Sequence, residues 1–198
     1  VSFEPGQDQR ADIAITNLAD RVQYLEISAE KIVSPGVVPE ELFSSPNPNE
    51  VGLLVAPRRI TLQPGEERLI RVILLEAPSK TDKAWRVLIM PVVGKIESTS
   101  SAAAINVAYR ALVFARPQTP KVGLSGHRDG RVLSITNTGN TNAMLHSGSQ
   151  CAPGDICAEI SGKRLWPGMQ WQVELPTDAP VQCNVRGQIG RASCRERV

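Results

Sequence analysis

Four cysteines and two histidines hold most of the reactive chemistry available to this 198-residue chain. The segment CAPGDIC sets Cys151 and Cys157 on either side of a Pro-Gly turn. Such a turn brings two Cα atoms close enough for a disulfide. His146 stands nearby, so zinc is the alternative ligand chemistry, but Cys183 is far along the chain and no convincing fourth ligand is present. The expectation is therefore a disulfide and no metal, which implies an oxidising compartment such as a periplasm or the cell exterior.

Proton chemistry fares worse. The sequence has no His-Glu-x-x-His, no Gly-x-Ser-x-Gly and no phosphate loop ending in Gly-Lys-Ser/Thr. His127 lies in SGHRDG and His146 in LHSGS, and neither has the oriented partner that a general base requires. Both are read as solvated loop residues, with GHRDG forming a hairpin turn between Val122 and Val132. Trp166 and Trp171 flank a Pro-Gly turn and are read as packing residues. No enzyme activity and no cofactor are expected.

Charge excludes further classes. The net charge is +2, and the final eight residues, RASCRERV, carry Arg191, Arg195 and Arg197 against Glu196. The remainder is neutral, which leaves no electrostatic case for nucleic acid or acidic membranes. No run of eighteen apolar residues occurs, and VSFEPGQDQR lacks the basic start and apolar stretch of a signal peptide. The chain is expected to be soluble, without direct membrane insertion, and to be a mature form or a fragment. Residues 189–198 lack period-2 alternation and resemble a translated sequencing-adapter read-through. They are expected to be non-native and outside the fold, the alternative being a natural basic tail.

The elements that position these residues read as strands. ADIAITN, VQYLEISAEKI, RRITLQPGEERLIRVIL, AWRVLIMPVV, AAINVAYRALVFA, RVLSITNTG and WQVELP are rich in Val, Ile, Leu and Thr between Gly, Pro and Asn punctuation. Two signatures recur in the same order. IAITNLAD (13–20) returns as LSITNTGN (133–140), and RRITLQPGEERLIRV (58–72) returns as KRLWPGMQWQV (163–173). The expected architecture is all-β, two tandem immunoglobulin-like β-sandwich domains over 1–117 and 118–188, with the stiff RPQTP (116–120) at the joint. The second domain is small enough for a Cys151–Cys157 bridge to matter.

One stretch exceeds what a core needs. In SAAAINVAYRALVFARP, the odd positions Ala103, Ile105, Val107, Tyr109, Ala111 and Val113 are all apolar, while Arg110 lies on the even face. Strands average five or six residues, and this alternation runs past ten. The early part is expected to be an edge kept for pairing with another protein, where backbone bonds give affinity and alternate side chains fill pockets. The alternative is a long final core strand with a frayed start.

LLVAPRRITLQPGEERLIRVI (53–73), AWRVLIMPVV (84–93), INVAYRALVFARP (105–117) and ITNTGN resemble the PapD-like periplasmic chaperones of pilus assembly, and within that family the alternate-chaperone branch. The resemblance implies a periplasmic, non-enzymatic chaperone that caps pilus or fimbrial subunits by donor-strand complementation and delivers them to an outer-membrane usher. It further implies that Ala103, Ile105, Val107 and Tyr109 enter the subunit, and that Arg110 anchors the subunit's C-terminal carboxylate. The family's usual lysine falls at Leu112, two residues on, and its first-strand basic anchor would precede Val1. The competing reading is a structural or adhesive cell-surface protein built of immunoglobulin-like modules.

Overall fold

A computed structural model describes residues 1–92, 107–152, 156–178, 181–187 and 190–195. The chain divides into two compact units, one formed by 1–78 with 83–116, the other by 79–82 with 117–198.

The first unit contains β1 (Ser2–Phe3), β2 (Arg10–Thr16), β3 (Gln23–Ile32), β4 (Leu42–Phe43), a helical turn α1 (Pro48–Val51) and β5 (Leu53–Ala56). It continues with β6 (Arg59–Leu62), β7 (Glu67–Leu74), β8 (Lys83–Pro91) and β9 (Tyr109–Ala115). One sheet runs β1-β9-β8-β3-β4, with β6 also on β3, and the other runs β2-β7-β5. Alternation in the sequence becomes alternation in burial. In β7, Ile70, Val72 and Leu74 are buried, while Glu67, Leu69 and Arg71 face out. The core joins both sheets: Val55, Ile70 and Val72 from one meet Ile27, Trp85 and Val113 from the other. Each such side chain contributes about 1.5–3 kcal/mol on burial. The Trp85 indole is fully buried and donates from Nε1 to the Val51 carbonyl at 2.8 Å, so its one polar atom is satisfied.

Just after α1, Gly52 adopts a left-handed φ of 82° and donates its N–H to Pro48 O at 2.8 Å, ending the turn. A Cβ there would also strike the Glu76 side chain. Glu76 is clamped between the ammonium groups of Lys31 and Lys83.

The second unit contains β10 (Leu124–Asp129), β11 (Val132–Asn137), β12 (Ala143–Leu145), β13 (Gly148–Ala152) and β14 (Ile156–Ile160). After these come β15 (Lys163–Leu165), β16 (Gln170–Glu174), β17 (Val181–Gly187) and β18 (Gly190–Arg195). Its sheets run β10-β11-β16 and β14-β13-β17-β12-β15, with β18 on β17. Ile135 of the first packs on Ala143, Leu145 and Leu165 of the second. Both units are thus immunoglobulin-like β-sandwiches, and the all-β expectation holds.

Several local expectations need correction. His127 is not in a turn. It sits within β10 opposite Ser134, and the chain reverses at Gly130 and Arg131, because Gly130 accepts the left-handed φ of 54° that the reversal needs. The strand expected across 101–117 is, among the described residues, the seven-residue β9; Val107 and Ala108 precede it without strand pairing. Ala103 and Ile105 lie outside the described residues. Within the segment read as lying outside the fold, Gly190–Arg195 pairs antiparallel with β17. Backbone pairing needs only an open edge and makes no demand on side-chain pattern.

Candidate functional site: an open strand edge above an apolar cleft

The site is built on the start of β9. Its inner neighbour is β8, in a register that sets Val113 opposite Trp85 and Tyr109 opposite Ile89. Its outer neighbour is β1, which sets Ser2 beside Phe114 and Phe3 beside Ala115. The outward backbone groups show this cover directly. The Val1 nitrogen donates to Leu112 O at 3.0 Å, Phe114 N–H to Val1 O at 3.1 Å, and Arg116 N–H to Phe3 O at 3.0 Å. Arg116 also donates from Nε to Glu4 at 3.3 Å and lies 5.4 Å from the Phe114 ring centroid, fixing β1 to this end.

One step earlier along the same edge is Arg110. Because successive residues of a strand direct their backbone groups to opposite sides, the N–H and C=O of Arg110 continue the row that β1 covers further on.

Beneath this edge the two sheets part into a cleft of 580 Å³. Ile13 and Ile15 of β2 form one wall; Leu25, Leu62, Ile89 and Ala111 form much of the rest. Val107 and Tyr109 stand at its rim, 56% and 65% exposed. Large apolar residues this exposed beside an apolar cleft mark an interaction surface more strongly than scattered surface residues do. Among the described residues, Arg21 is the one charged side chain lining it.

Arg110 belongs to the opposite face. Its side chain is exposed, and its cross-strand neighbour on β8 is Leu88. One row away, Arg86 grips Glu40 with a fork, Nε donating to Oε2 at 2.9 Å and an Nη to Oε1. That fork holds the Glu40 carboxyl below the usual carboxylate range despite partial burial, and Arg110 adds a smaller pull. The arrangement offers a cleft for apolar side chains and, on the other face, a solvated guanidinium for an anion. Among the described residues it offers no nucleophile with an oriented base.

No family model matches the chain. A CFA/I fimbrial subunit of Escherichia coli is 26% identical over 152 residues, covering 73% of this chain and 63% of that protein. The match thus spans less than two thirds of that relative. The solved class 5 fimbriae chaperone CfaA superposes with a TM-score of 0.69 at 21% identity, covering 100% of this chain and 96% of that one. The fold is that of the fimbrial chaperones. A chain of the Salmonella enterica complex of SafA pilin with the SafB chaperone gives the same TM-score at 16% identity, covering 100% of this chain and 92% of that one.

Within this chaperone fold, the sequence-derived site residues separate. Val107 and Tyr109 come together with the cleft; Arg110 does not. Cys151 and Cys157 are far from them in the chain, in the second unit. They face each other across the β13–β14 hairpin and are bonded, with Cα atoms 4.0 Å apart. A loop this short contributes about 2–3 kcal/mol. Sequence reasoning missed the cleft walls Ile13, Ile15 and Leu25, because the alternation that places them inside does not say that the inside is open. It also missed Leu18, 92% exposed at the end of the cleft. A lone leucine after a turn-forming Asn, with Ala and Asp next, was the available signal.

Proposed function

We propose that the protein is a periplasmic chaperone for fimbrial subunits, holding each one along the exposed start of β9 and passing it to an outer-membrane usher. The observation that carries this reading is the exposure of the large apolar side chains Val107 and Tyr109 at the rim of an apolar cleft. A strand laid along the start of β9 gains main-chain hydrogen bonds, and alternate side chains supply the fit. Val107 and Tyr109 enter the open groove of the subunit, preceded by Ala103 and Ile105 from the segment before them. Arg110, solvated and on the other face, receives the subunit's terminal carboxylate as a charged forked donor. Two similar proteins support the reading: CfaA is called a fimbriae chaperone, and SafB a chaperone in complex with a pilin.

The test is co-expression with candidate fimbrial subunits, followed by purification from periplasm. The wild-type chain should bring the subunit with it, and Val107→Asp should lose it while circular dichroism stays unchanged. Val113→Asp should unfold the first unit instead, since Val113 is fully buried and an unpaired charge there is severely destabilising. Equal unfolding by both would make the strand ordinary core and end the proposal. A second reading, a structural fimbrial protein, rests on the relative named a fimbrial subunit. Recovery of the chain in surface fibres, not in periplasm, would favour it.

A further inference from the structure

We propose that Arg86 is the moving part of a two-position switch. In one position it fastens the strap 33–41 through Glu40; in the other it turns to Glu30 and lets the strap open.

The strap joins β3 to β4. Burial does little to hold it, because Val33, Val37 and Val38 are 50%, 56% and 86% exposed. One backbone bond closes its base, Val33 N–H to Glu41 O at 2.9 Å, and another closes a turn within it, Val37 N–H to Ser34 O at 3.2 Å. Among the described residues, the side-chain bond that ties it to the sheet is the fork from Arg86 of β8 to Glu40. That pair is partly buried and of the strong, geometrically specific kind.

The register of the sheet offers Arg86 a second carboxylate. Glu30 of β3 is directly opposite it, where cross-strand partners of opposite charge can meet. The fork to Glu40 leaves Glu30 short. Its Oε2 is buried and, among the described residues, accepts no hydrogen bond, a state that costs free energy. Neighbouring cations do not relieve it. Lys31 comes next along β3 and so faces the other side of the sheet, where it holds Glu76. Arg110 lies on β9, two strands from β3 and so about 10 Å away. One guanidinium therefore serves two carboxylates in turn. Closed, the fork is made and Glu30 lacks a partner; open, Glu30 is satisfied and Glu40 returns to water. Each position offsets what the other loses, so the strap can open locally while β3 and β8 stay paired. The switch does not depend on what the protein carries.

The experiment uses the whole chain. Opening is read as the rate of elastase cleavage after Val37, the state of Arg86 by the NMR signal of its Nε–H, and global stability by the urea midpoint. Glu40→Gln should speed cleavage about tenfold, with the midpoint unchanged and the Arg86 Nε–H still hydrogen-bonded, now to Glu30. Glu30→Gln should slow cleavage about threefold, because it removes both the unpaired charge of the closed position and the partner of the open one. The double variant should lose the protected Arg86 signal and lower the midpoint by more than the two single changes together. Unchanged or faster cleavage in Glu30→Gln, or a midpoint in Glu40→Gln as low as in the double variant, overturns the switch. Should the double variant fail to fold, Glu30→Gln is repeated in an Arg86→Met background, where it should no longer slow cleavage. Slowing that persists there overturns the switch as well.

Discussion

The same corner is built twice in this molecule, and the two copies differ in one respect. In the first unit Asn17 follows β2; its Nδ2 donates to Arg21 O at 2.8 Å and Leu62 O at 3.1 Å, and its Oδ1 accepts from Ala19 N–H at 3.0 Å. In the second unit Asn137 ends β11; its Nδ2 donates to Thr141 O and Leu165 O, both at 2.9 Å, and its Oδ1 accepts from Gly139 N–H at 2.9 Å. The backbones match as well. Gly65 donates to Asn17 O and Gly168 to Asn137 O, each glycine lying in a Pro-Gly turn at φ 74° and 77°.

The difference is what lies alongside. β11 is flanked by β10 on one side and β16 on the other, whereas β2, among the described residues, pairs with β7 alone. Around Asn137 the segment before β10 seals the corner: Thr138 N–H donates to Gly123 O at 2.9 Å and Asn140 N–H to Lys121 O at 3.0 Å. Around Asn17 no such segment seals the corner among the described residues, and Leu18 and the cleft lie beside it. In the first unit β1 goes instead to β9, beside Phe114 and Ala115. One scaffold thus has two outcomes: flanked on both sides, its corner is sealed; flanked on one side among the described residues, it has a cleft beside it.

The comparison can be broken most forcefully at the two asparagines. Both are buried, and Asn17→Ala or Asn137→Ala leaves two carbonyls without their partner, so each should cost about 3 kcal/mol by urea denaturation. A near-zero cost at either site would mean that its corner is not held by the side chain. Gly139→Ala should cost somewhat less, about 2 kcal/mol, because a Cβ there would sit 2.2 Å from Lys121 O. That loss belongs to the sealed corner alone, and the first unit should keep its stability when the two are followed separately by hydrogen exchange.

Acid should separate the units next. Burial pushes Glu76 up, but Lys31 and Lys83 outweigh it and hold its carboxyl below the ordinary value of 4.5. A carboxyl depressed on folding gives stability that is present above its unfolded value and lost as pH falls through the folded one. The first unit should therefore weaken below about pH 4.5, and Glu76→Gln should flatten that part of its pH dependence. An unchanged profile would remove the clamp from the account. The smallest effect on stability is expected at Leu18→Ser, within about 0.5 kcal/mol, since surface substitutions rarely exceed that. Its effect on subunit capture should be larger, and a variant that captures normally would confine the binding surface to β9.

Sequence alone determined what is local. The Asn corners and Pro-Gly turns were legible as a repeat because Asx turns and Pro-Gly turns are specified by adjacent residues. The Cys151–Cys157 pair was legible for the same reason, six residues being too few to separate them. Alternation in VAYRALVFARP likewise told which residues share a face, and so that Val107 and Tyr109 stand together while Arg110 stands apart. Tertiary structure alone decided who neighbours whom. Pro64-Gly65 could have closed a hairpin, yet it carries the chain from β6, paired with β3 in one sheet, to β7 in the other. Likewise, nothing in RADIAIT or RVLSITN announces that one strand has a bare side and the other does not. Period-2 patterning records burial above and below a strand. Its lateral partners are chosen by distant segments competing for the same edge, and that choice is what leaves the cleft open in one unit and closes the corner in the other.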